Sequence, residues 1–310
     1  MRITIVAPGG VGGYFGALLA KSGEEVAALA RGAHLAAIKE HGLRIEGPRG
    51  DETVRLTVSD DAAQLGIADI VLFAVKLYQV EAAARVAAPL FGPATLAISL
   101  LNGITGPETI RSVLPGITVL GGCAYVSAAI AAPGHVRYTG TMSSIVFATP
   151  EADATARDKA TDFAEHCRRA GFGAELTDDV RSALWNKLIG LSANAALTSA
   201  ARLPAGPLYS DPDVLAVTAA LIAESTAVAR AQGVALPADI EHVWLARIKG
   251  FPPGMYASMY HDIAKGGPLE VDGLSGHIVR EGRRLGVPTP HHAALYAVLK
   301  PHRGGLPTLS

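Results

Sequence analysis

A cluster of glycines directly after a short apolar segment constrains the fold of this chain most strongly. Residues 3–6 are apolar or β-branched, and residues 14–19 resume an apolar helical pattern beyond the glycines. A strand, a glycine-rich turn and a helix in this order open a βαβ unit that binds a dinucleotide. Glycine lets the backbone approach a pyrophosphate, whose charge then rests on unpaired N–H groups at the helix N-terminus. The residues expected to bind the cofactor phosphates are Gly9, Gly10, Val11 and Gly12.

The end of the second predicted strand bears on the choice of cofactor. Residues 26–30 form a short apolar segment, and Arg31 follows it directly. Proteins that bind NAD commonly place an Asp or Glu here, which holds the ribose 2′-hydroxyl. A guanidinium instead matches a 2′-phosphate in charge and in the geometry of its donors. We therefore predict that Arg31 contributes to an NADP(H) site, the alternative being a solvated surface arginine.

The pattern of the chain changes near residue 178. Before this point strand-like and helical segments alternate, which predicts a parallel sheet. After it the strand signals end, and the helical segments expected are 180–201, 214–232, 239–248, 255–265, 271–285 and 291–299. We predict an α/β fold, with an N-terminal Rossmann-type parallel-sheet domain at residues 1–177 and an all-helical domain at residues 178–310.

Composition and charge exclude several classes of function. A chain of 310 residues can bury two cores, and a net charge of −1 gives no electrostatic footprint for nucleic acid or an anionic membrane surface. Cys123 and Cys167 are too few for a disulfide framework and lack the spacing of metal ligands. Residues 182–201 are apolar enough to consider as a membrane span, but they include Lys187 and two Asn. We expect a cytoplasmic protein with no metal site.

Lys187 is the second informative feature. It is the single charged residue between Arg181 and Arg202, and its neighbours on the same helix face supply no carboxylate. Such a lysine either snorkels to solvent, finds a distant partner or faces a cavity. Reduction of a ketone needs a proton for the oxygen as hydride reaches the carbon, and an ammonium can deliver it. We therefore consider Lys187 a candidate general acid.

The order of these landmarks resembles the ketopantoate reductase (2-dehydropantoate 2-reductase) family along nearly the whole chain. Besides the glycine-rich turn and Arg31, the segment 74–76 resembles a lysine-bearing segment of the family, and 101–103 its Asn-Gly turn near the nicotinamide. The segment 185–187 is similar to the Trp-x-Lys that supplies the catalytic lysine. Ser258 and Glu270, twelve positions apart, resemble the substrate segment near the C-terminus.

The resemblance implies NADPH-dependent reduction of 2-dehydropantoate (ketopantoate) to pantoate, in the biosynthesis of pantothenate and coenzyme A. It implies that Lys187 protonates the carbonyl oxygen and that Glu270 holds a substrate hydroxyl or the lysine itself. Lys76 would lie by the ribose or substrate, Asn102 would position the nicotinamide or substrate, and Ser258 would lie near the substrate carboxylate. Each also has a structural explanation, such as an ordinary Asn-Gly turn at Asn102 or a first-turn helix carboxylate at Glu270.

Departures from the family pattern affect the substrate more than the fold. Ala7 replaces the first glycine of the loop, and Pro8 stiffens the turn by fixing its own φ. We therefore expect weaker cofactor binding. Leu191 and Ala195, four and eight positions after the lysine, replace asparagines that help to bind ketopantoate in better-characterised members. Asn194, at i+7, lies nearly in line with Lys187 on a 3.6-residue helix. We predict that Asn194 points into the same cleft and partly replaces the missing amides.

Two other functions remain open. The first is reduction of a different 2-oxo acid or ketone on the same scaffold, which Leu191 and Ala195 favour. The second is a non-catalytic NADP-binding paralogue, supported by the altered loop and opposed by the retention of Lys187 with Glu270. The expected partner is a small-molecule 2-oxo acid, with no nucleic acid and no membrane. A homodimer is a further alternative that no sequence pattern supports.

Overall fold

The computed structural model describes residues 1–151 and 153–306. The chain divides into two compact units, of which the first comprises Met1–Leu101 and Thr105–Ala183. The second begins at Leu184 and also takes in the short segment Asn102–Ile104. We expected the boundary between the domains at 177/178. The division lies instead within the helix that starts at Val180, whose first four residues belong to the first unit.

The first unit contains one mixed sheet and the helices that pack on it. Its helices are α1 (Gly10–Lys21), α2 (Gly32–His41), α3 (Val80–Ala87), α4 (Gly106–Val113) and α5 (Ala154–Arg169). Its strands in the described residues are β1 (Arg2–Val6), β2 (Glu25–Leu29), β3 (Leu43–Gly47), β4 (Gly50–Val54), β5 (Thr57–Ser59), β6 (Ile70–Phe73), β7 (Leu96–Ser99), β8 (Thr118–Ala132), β9 (His135–Ala148) and β10 (Gly173–Thr177).

The centre of the sheet is parallel and has the strand order of a dinucleotide-binding fold. The strands follow in space as β5-β2-β1-β6-β7-β8, with every neighbouring pair parallel. The order reverses between β1 and β6, and ligands of such sheets bind beyond the carboxyl ends of the strands at this reversal. Beyond its parallel part, β8 forms an antiparallel pair with β9, which also carries β3 and β10. The predicted Rossmann-type domain is confirmed.

Close packing of α1 against β1 fixes the start of the fold. A Cβ atom at Gly12 or Gly16 would lie within 2.9 Å of the Ile5 side chain, so only glycine lets the helix sit this near the strand. Tyr14 and Phe15, each about 1% exposed, then fill the space beside the sheet. Removing such large rings from water is the main favourable contribution to the stability of this core.

Seven α-helices follow between residue 180 and residue 306, the last one described. They are α6 (Val180–Ala201), α7 (Ala205–Tyr209), α8 (Pro212–Ala231), α9 (Ile240–Lys249), α10 (Ser258–Ala264), α11 (Ser275–Leu285) and α12 (Pro290–Leu299). No strand occurs between residues 184 and 306, which confirms the all-helical second domain. Helix α6 is buried over most of its length, which explains why its sequence lacks an exposed polar face.

One helix of the described residues, α8, is long and apolar enough to cross a membrane by length and composition. The core helix of a water-soluble protein meets the same criteria. Leu221, Ile222 and Val228 of α8 are completely buried in the core of the helical unit. One face of α8 therefore belongs to the core of the helical unit.

A buried carboxylate fixes the start of α12. Glu224 on α8 accepts hydrogen bonds from the backbone N–H groups of His291 and His292, each at 2.9 Å. Burial lowers the pKa of His292 to about 4, so the ring is neutral near pH 7. Its Nε2 lies 2.8 Å from the hydroxyl of Ser225. A polar cluster within the core therefore joins α8 to α12.

Candidate active site and cofactor loop

The turn after β1 has the backbone geometry of a phosphate-binding loop. Ala7 adopts the left-handed conformation, with φ of +65°, and its carbonyl accepts the N–H of Gly9 at 2.8 Å. Gly9 is the N-cap of α1 and provides no side-chain cap. Helix geometry leaves the N–H groups of the first turn without carbonyl partners, and the helix dipole adds positive charge there. An anion is the natural partner of this end of α1.

The glycines of this turn have different roles. A Cβ atom at Gly10 would lie 2.2 Å from the carbonyl oxygen of Ala128, so this glycine is required for packing. Gly9 has an ordinary φ of −72°, and the nearest atom to a Cβ there would be 4.0 Å away, on Ile130. Neither packing nor conformation of the protein itself requires glycine at position 9. The space left open there fits the approach of a cofactor phosphate to the backbone.

Arg31 lies at the same edge of the sheet as this turn. It directly precedes α2, and its strand β2 pairs in parallel with β1, so the loops after both strands emerge side by side. Its side chain is exposed. Glu24 lies at the opposite end of β2, where its carboxylate binds the amino group of Met1 at 2.9 Å. The guanidinium of Arg31 therefore lies at the carboxyl end of β2, beside the glycine-rich turn, and the carboxylate of Glu24 lies at the other end of the strand.

Lys76 follows β6, the other parallel neighbour of β1. It caps a short 3₁₀ turn, Leu77–Gln79, in an extended backbone conformation. The structure thus gathers three groups of predicted cofactor residues at the carboxyl ends of adjacent strands in the first unit. They are the glycine-rich turn, Arg31 and Lys76.

Three predicted residues form a hydrogen-bonded chain in the helical unit. The Nζ of Lys187 donates to the Oδ1 of Asn102 at 3.0 Å. The Nδ2 of Asn102 donates in turn to the Oε2 of Glu270 at 3.4 Å. Glu270 is 3% exposed, whereas Lys187 and Asn102 are half-buried. The amide therefore stands between an ammonium and a buried carboxylate, and this arrangement orients both of its ends.

Local structure holds each member of this chain in place. Lys187 lies in α6 between Trp185 and Leu188, which are both at most 1% exposed. Asn102 follows the buried residue Leu101, and Glu270 begins the 3₁₀ turn Glu270–Asp272. Buried neighbours therefore fix the backbone from which each polar side chain extends.

Trp244 of α9 supports the turn of α6 that carries Lys187, and sequence reasoning missed this contact. Its Nε1 donates to the Oδ1 of Asn186 at 2.9 Å. A Cβ atom at Gly190 would lie 2.0 Å from the indole ring, so the ring rests directly on the backbone of α6. A glycine inside a long apolar helix costs about 1 kcal/mol, so Gly190 indicates that a large group packs on α6, but the sequence does not show which residue this is.

The two remaining predicted substrate residues lie in different surroundings. Asn194 is 5% exposed, and its Oδ1 accepts a hydrogen bond from the hydroxyl of Tyr209 at 2.7 Å. Ser258 is exposed at the start of α10, between Tyr256 and Tyr260, whose rings stack at 3.8 Å. The amide carbonyl of Asn194 is thus engaged with Tyr209. Substrate binding by Asn194 and Ser258 stays a prediction.

Comparison with known proteins gives matches along nearly the whole chain. The family models described as ketopantoate reductase PanE/ApbA and its C-terminal part match residues 3–151 and 179–303. The 2-dehydropantoate 2-reductase of Mesorhizobium japonicum is 30% identical, with 97% of each chain covered. A PanE/ApbA family ketopantoate reductase from Ralstonia eutropha is 36% identical, with a TM-score of 0.89 and 98% of each chain covered.

A more distant likeness concerns the fold alone. A ternary structure of D-mandelate dehydrogenase with NADH and anilino(oxo)acetate has a TM-score of 0.89 at 23% identity, with 98% of each chain covered. The ketopantoate reductase relatives are oxidoreductases that act on CH–OH groups, and the family implies a nicotinamide cofactor. Together with the cofactor loop and the Lys187 chain of hydrogen bonds, these matches show that the chain is an oxidoreductase of the ketopantoate reductase family.

Proposed function

We propose that this protein reduces 2-dehydropantoate to pantoate with NADPH in the cytoplasm, as a step in pantothenate biosynthesis. The observation that carries the proposal is the hydrogen-bonded chain of Lys187, Asn102 and Glu270 in a member of this family. An ammonium held by an amide, with a carboxylate behind it, is suited to deliver one proton to a carbonyl oxygen.

The protein supplies proton delivery and orientation. A bound nicotinamide would supply hydride to the carbonyl carbon of the substrate. Lys187 gives a proton from Nζ to the oxygen as negative charge develops there, and it regains a proton from solvent afterwards. Asn102 accepts a hydrogen bond from one of the three N–H groups of the ammonium, and this contact fixes the directions in which the other two point. Glu270 orients Asn102 and offers a carboxylate for a substrate hydroxyl.

The residues of the first unit fit the proposed cofactor. The open space at Gly9 and the unpaired N–H groups at the start of α1 would hold the pyrophosphate. Arg31 would hold the 2′-phosphate through its charge and its paired donors, which supports NADPH over NADH. Lys76 would add positive charge near the ribose.

A second candidate substrate is another 2-oxo acid with a larger apolar group. Ala195 is completely buried, and Leu191 packs against the core of the helical unit. Neither side chain can donate the hydrogen bonds that an asparagine would supply. A site with fewer amide groups binds a polar substrate tail less well and tolerates an apolar one better.

The experiment that tests the proposal measures NADPH oxidation by the purified protein with 2-dehydropantoate and with a panel of aliphatic and aromatic 2-oxo acids. We expect kcat/KM for 2-dehydropantoate to exceed the others by at least about tenfold, a difference near 1.4 kcal/mol. A faster aromatic or branched acid would favour the second candidate. Tight NADPH binding without turnover of any acid would indicate the non-catalytic paralogue and contradict the proposal.

A further inference from the structure

His34 joins two backbone segments through the two nitrogens of its ring. Its Nε2 lies 2.8 Å from the carbonyl oxygen of Pro8, and its Nδ1 lies 3.0 Å from the backbone nitrogen of Gly134. A carbonyl can only accept and a backbone N–H can only donate. The ring is therefore neutral here, with its hydrogen on Nε2 and a lone pair on Nδ1.

The contact with Pro8 acts on the phosphate-binding turn. Proline has no N–H, so its carbonyl is the one backbone hydrogen-bonding group of this residue. That carbonyl and the N–H of Gly9 belong to the same planar peptide unit. The N–H side is held by the Ala7 carbonyl at 2.8 Å, and the carbonyl side is held by His34. Both sides of the peptide that places Gly9 are thus fixed.

The contact with Gly134 acts on a second segment beside the same turn. Gly134 lies in the tight turn between β8 and β9, is buried, and has φ of +71°. Residues of β8 contact the glycine-rich turn, since a Cβ atom at Gly10 would overlap the Ala128 carbonyl. His34 therefore holds the hairpin that supports the turn as well as the turn itself.

The position of His34 in α2 links these contacts to Arg31. His34 lies in the first turn of α2, three residues after Arg31, which is the N-cap of the same helix. A shift of His34 relative to Pro8 would change the separation between the pyrophosphate position and the 2′-phosphate position. NADPH needs both anion sites at the correct spacing, and NADH needs the pyrophosphate site in its correct position, so a displaced turn weakens binding of both cofactors.

We propose that His34 is a positioning residue for the cofactor, which fixes the peptide between Pro8 and Gly9 relative to the start of α2. The proposal rests on the proposed NADPH-dependent function. It assigns His34 no contact with the cofactor. Its action is on the pyrophosphate loop, which NADPH and NADH share, so loss of the contact weakens binding of both cofactors.

Three variants separate the two contacts. His34→Ala removes both hydrogen bonds. His34→Gln keeps an amide N–H that reaches the position of Nε2 and can donate to the Pro8 carbonyl, whereas His34→Asn keeps an oxygen near the position of Nδ1 that can accept from Gly134. Fluorescence titration would give Kd for NADPH and NADH, and steady-state assays would give kcat at saturating cofactor. We expect Ala and Asn to raise both Kd values by about fivefold to tenfold, as loss of one oriented hydrogen bond does, and Gln to restore most of the affinity.

A matched control is His166→Ala, which also removes a tethering histidine of the first unit. His166 binds the carboxylate of Glu24, at the opposite end of β2 from Arg31. We expect this variant to lower the melting temperature without changing Kd for either cofactor.

Unchanged Kd values in His34→Ala, with wild-type protein binding NADPH normally, would overturn the inference about His34 alone. Failure of the wild-type protein to bind NADPH would instead refute the proposed function, and a lower kcat with unchanged Kd would also contradict the positioning role.

Discussion

At the scale of single residues, neighbouring positions of the cofactor turn carry separate tasks. Gly10 makes room for the Ala128 carbonyl, whereas a Cβ atom at Gly9 would have its nearest neighbour among the described residues 4.0 Å away. Ala7 takes a left-handed conformation that glycine adopts without strain. A sequence motif that lists only glycines does not distinguish these tasks, but substitutions do.

Substitution by alanine should affect cofactor binding at Gly9 and stability at Gly10. Gly9→Ala should raise Kd for NADPH by about tenfold, because its methyl group would occupy the space proposed for the cofactor phosphate, with less than about 1 kcal/mol lost in stability. Gly10→Ala should lower the free energy of unfolding by more than about 2 kcal/mol, because the methyl group meets a backbone carbonyl. Denaturant titration measures the free energy of unfolding of each variant, and cofactor titration measures its Kd. Equal loss of stability in the two variants would contradict the assignment of Gly9.

Arg31→Ala should raise KM for NADPH by about tenfold to a hundredfold and leave KM for NADH within about twofold, since in the proposed site the guanidinium would bind only the 2′-phosphate. Steady-state kinetics with each cofactor checks this. Arg85→Ala is the control, because Arg85 is an exposed arginine on α3 that pairs with Glu81. An equal effect of Arg31→Ala on both cofactors would refute the phosphate assignment.

Ala7→Gly should raise the free energy of unfolding by about 0.5–1 kcal/mol. Relief of left-handed strain is worth about 1–2 kcal/mol, and the greater freedom of glycine in the unfolded chain offsets part of it. Urea denaturation measures the change. Ala20→Gly, within α1, should shift stability by about 1 kcal/mol in the opposite direction. A loss of stability in Ala7→Gly would show that the left-handed strain at Ala7 is smaller than the entropic cost of glycine.

At the scale of elements, the sequence predicted those whose pattern is local. The buried strands β1 and β2 and the long helices α6 and α8 stood out by apolar content alone. Strands β3 and β4 did not, because β4 is almost fully exposed and consists largely of polar residues at the edge of the sheet. The segment expected as one helix at 271–285 is a 3₁₀ turn followed by α11, with Gly273 and Leu274 between them. The backbone at Leu274, with ψ of −103°, is not helical.

The junction of α8 and α12 should make stability depend on pH. The pKa of His292 is about 4 in the folded protein because of burial, against 6.5 for an ordinary histidine. The unfolded chain therefore binds a proton between these values that the folded protein does not. The free energy of unfolding should fall as pH drops below about 6.5, by about 3 kcal/mol in total by pH 4. Denaturant titrations at several pH values measure this slope.

The comparison variant for this prediction is His292→Gln, which cannot gain a proton in this range. Its free energy of unfolding at pH 7 will be lower than that of the wild type, since the cluster with Glu224 and Ser225 is disturbed. Its pH slope between about 6.5 and 4 should nevertheless be smaller than that of the wild type. An identical slope in both proteins would show that His292 does not titrate differently on folding.

At the scale of the whole molecule, the resemblance of ordered landmarks identified Lys187, Asn102 and Glu270, and the structure joins them by hydrogen bonds. Their placement in one unit was not predictable, because Asn102 belongs to the helical unit although the segments on either side of it belong to the first. The supporting contacts escaped sequence reasoning for a physical reason. Trp244 and Asn186 are 58 positions apart, and His34 and Gly134 are 100, so no local pattern connects them.

The central claim is that Lys187 delivers the proton, and amine rescue of Lys187→Ala tests it most directly. We expect kcat to fall by about 10² to 10⁴, with Kd for NADPH and the melting temperature near wild type, and we expect added ethylamine to restore activity in proportion to its concentration. Lys249→Ala, at the exposed end of α9, should keep full activity. A Lys187→Ala enzyme that retains more than about a tenth of wild-type kcat, or that ethylamine does not rescue, would contradict the account.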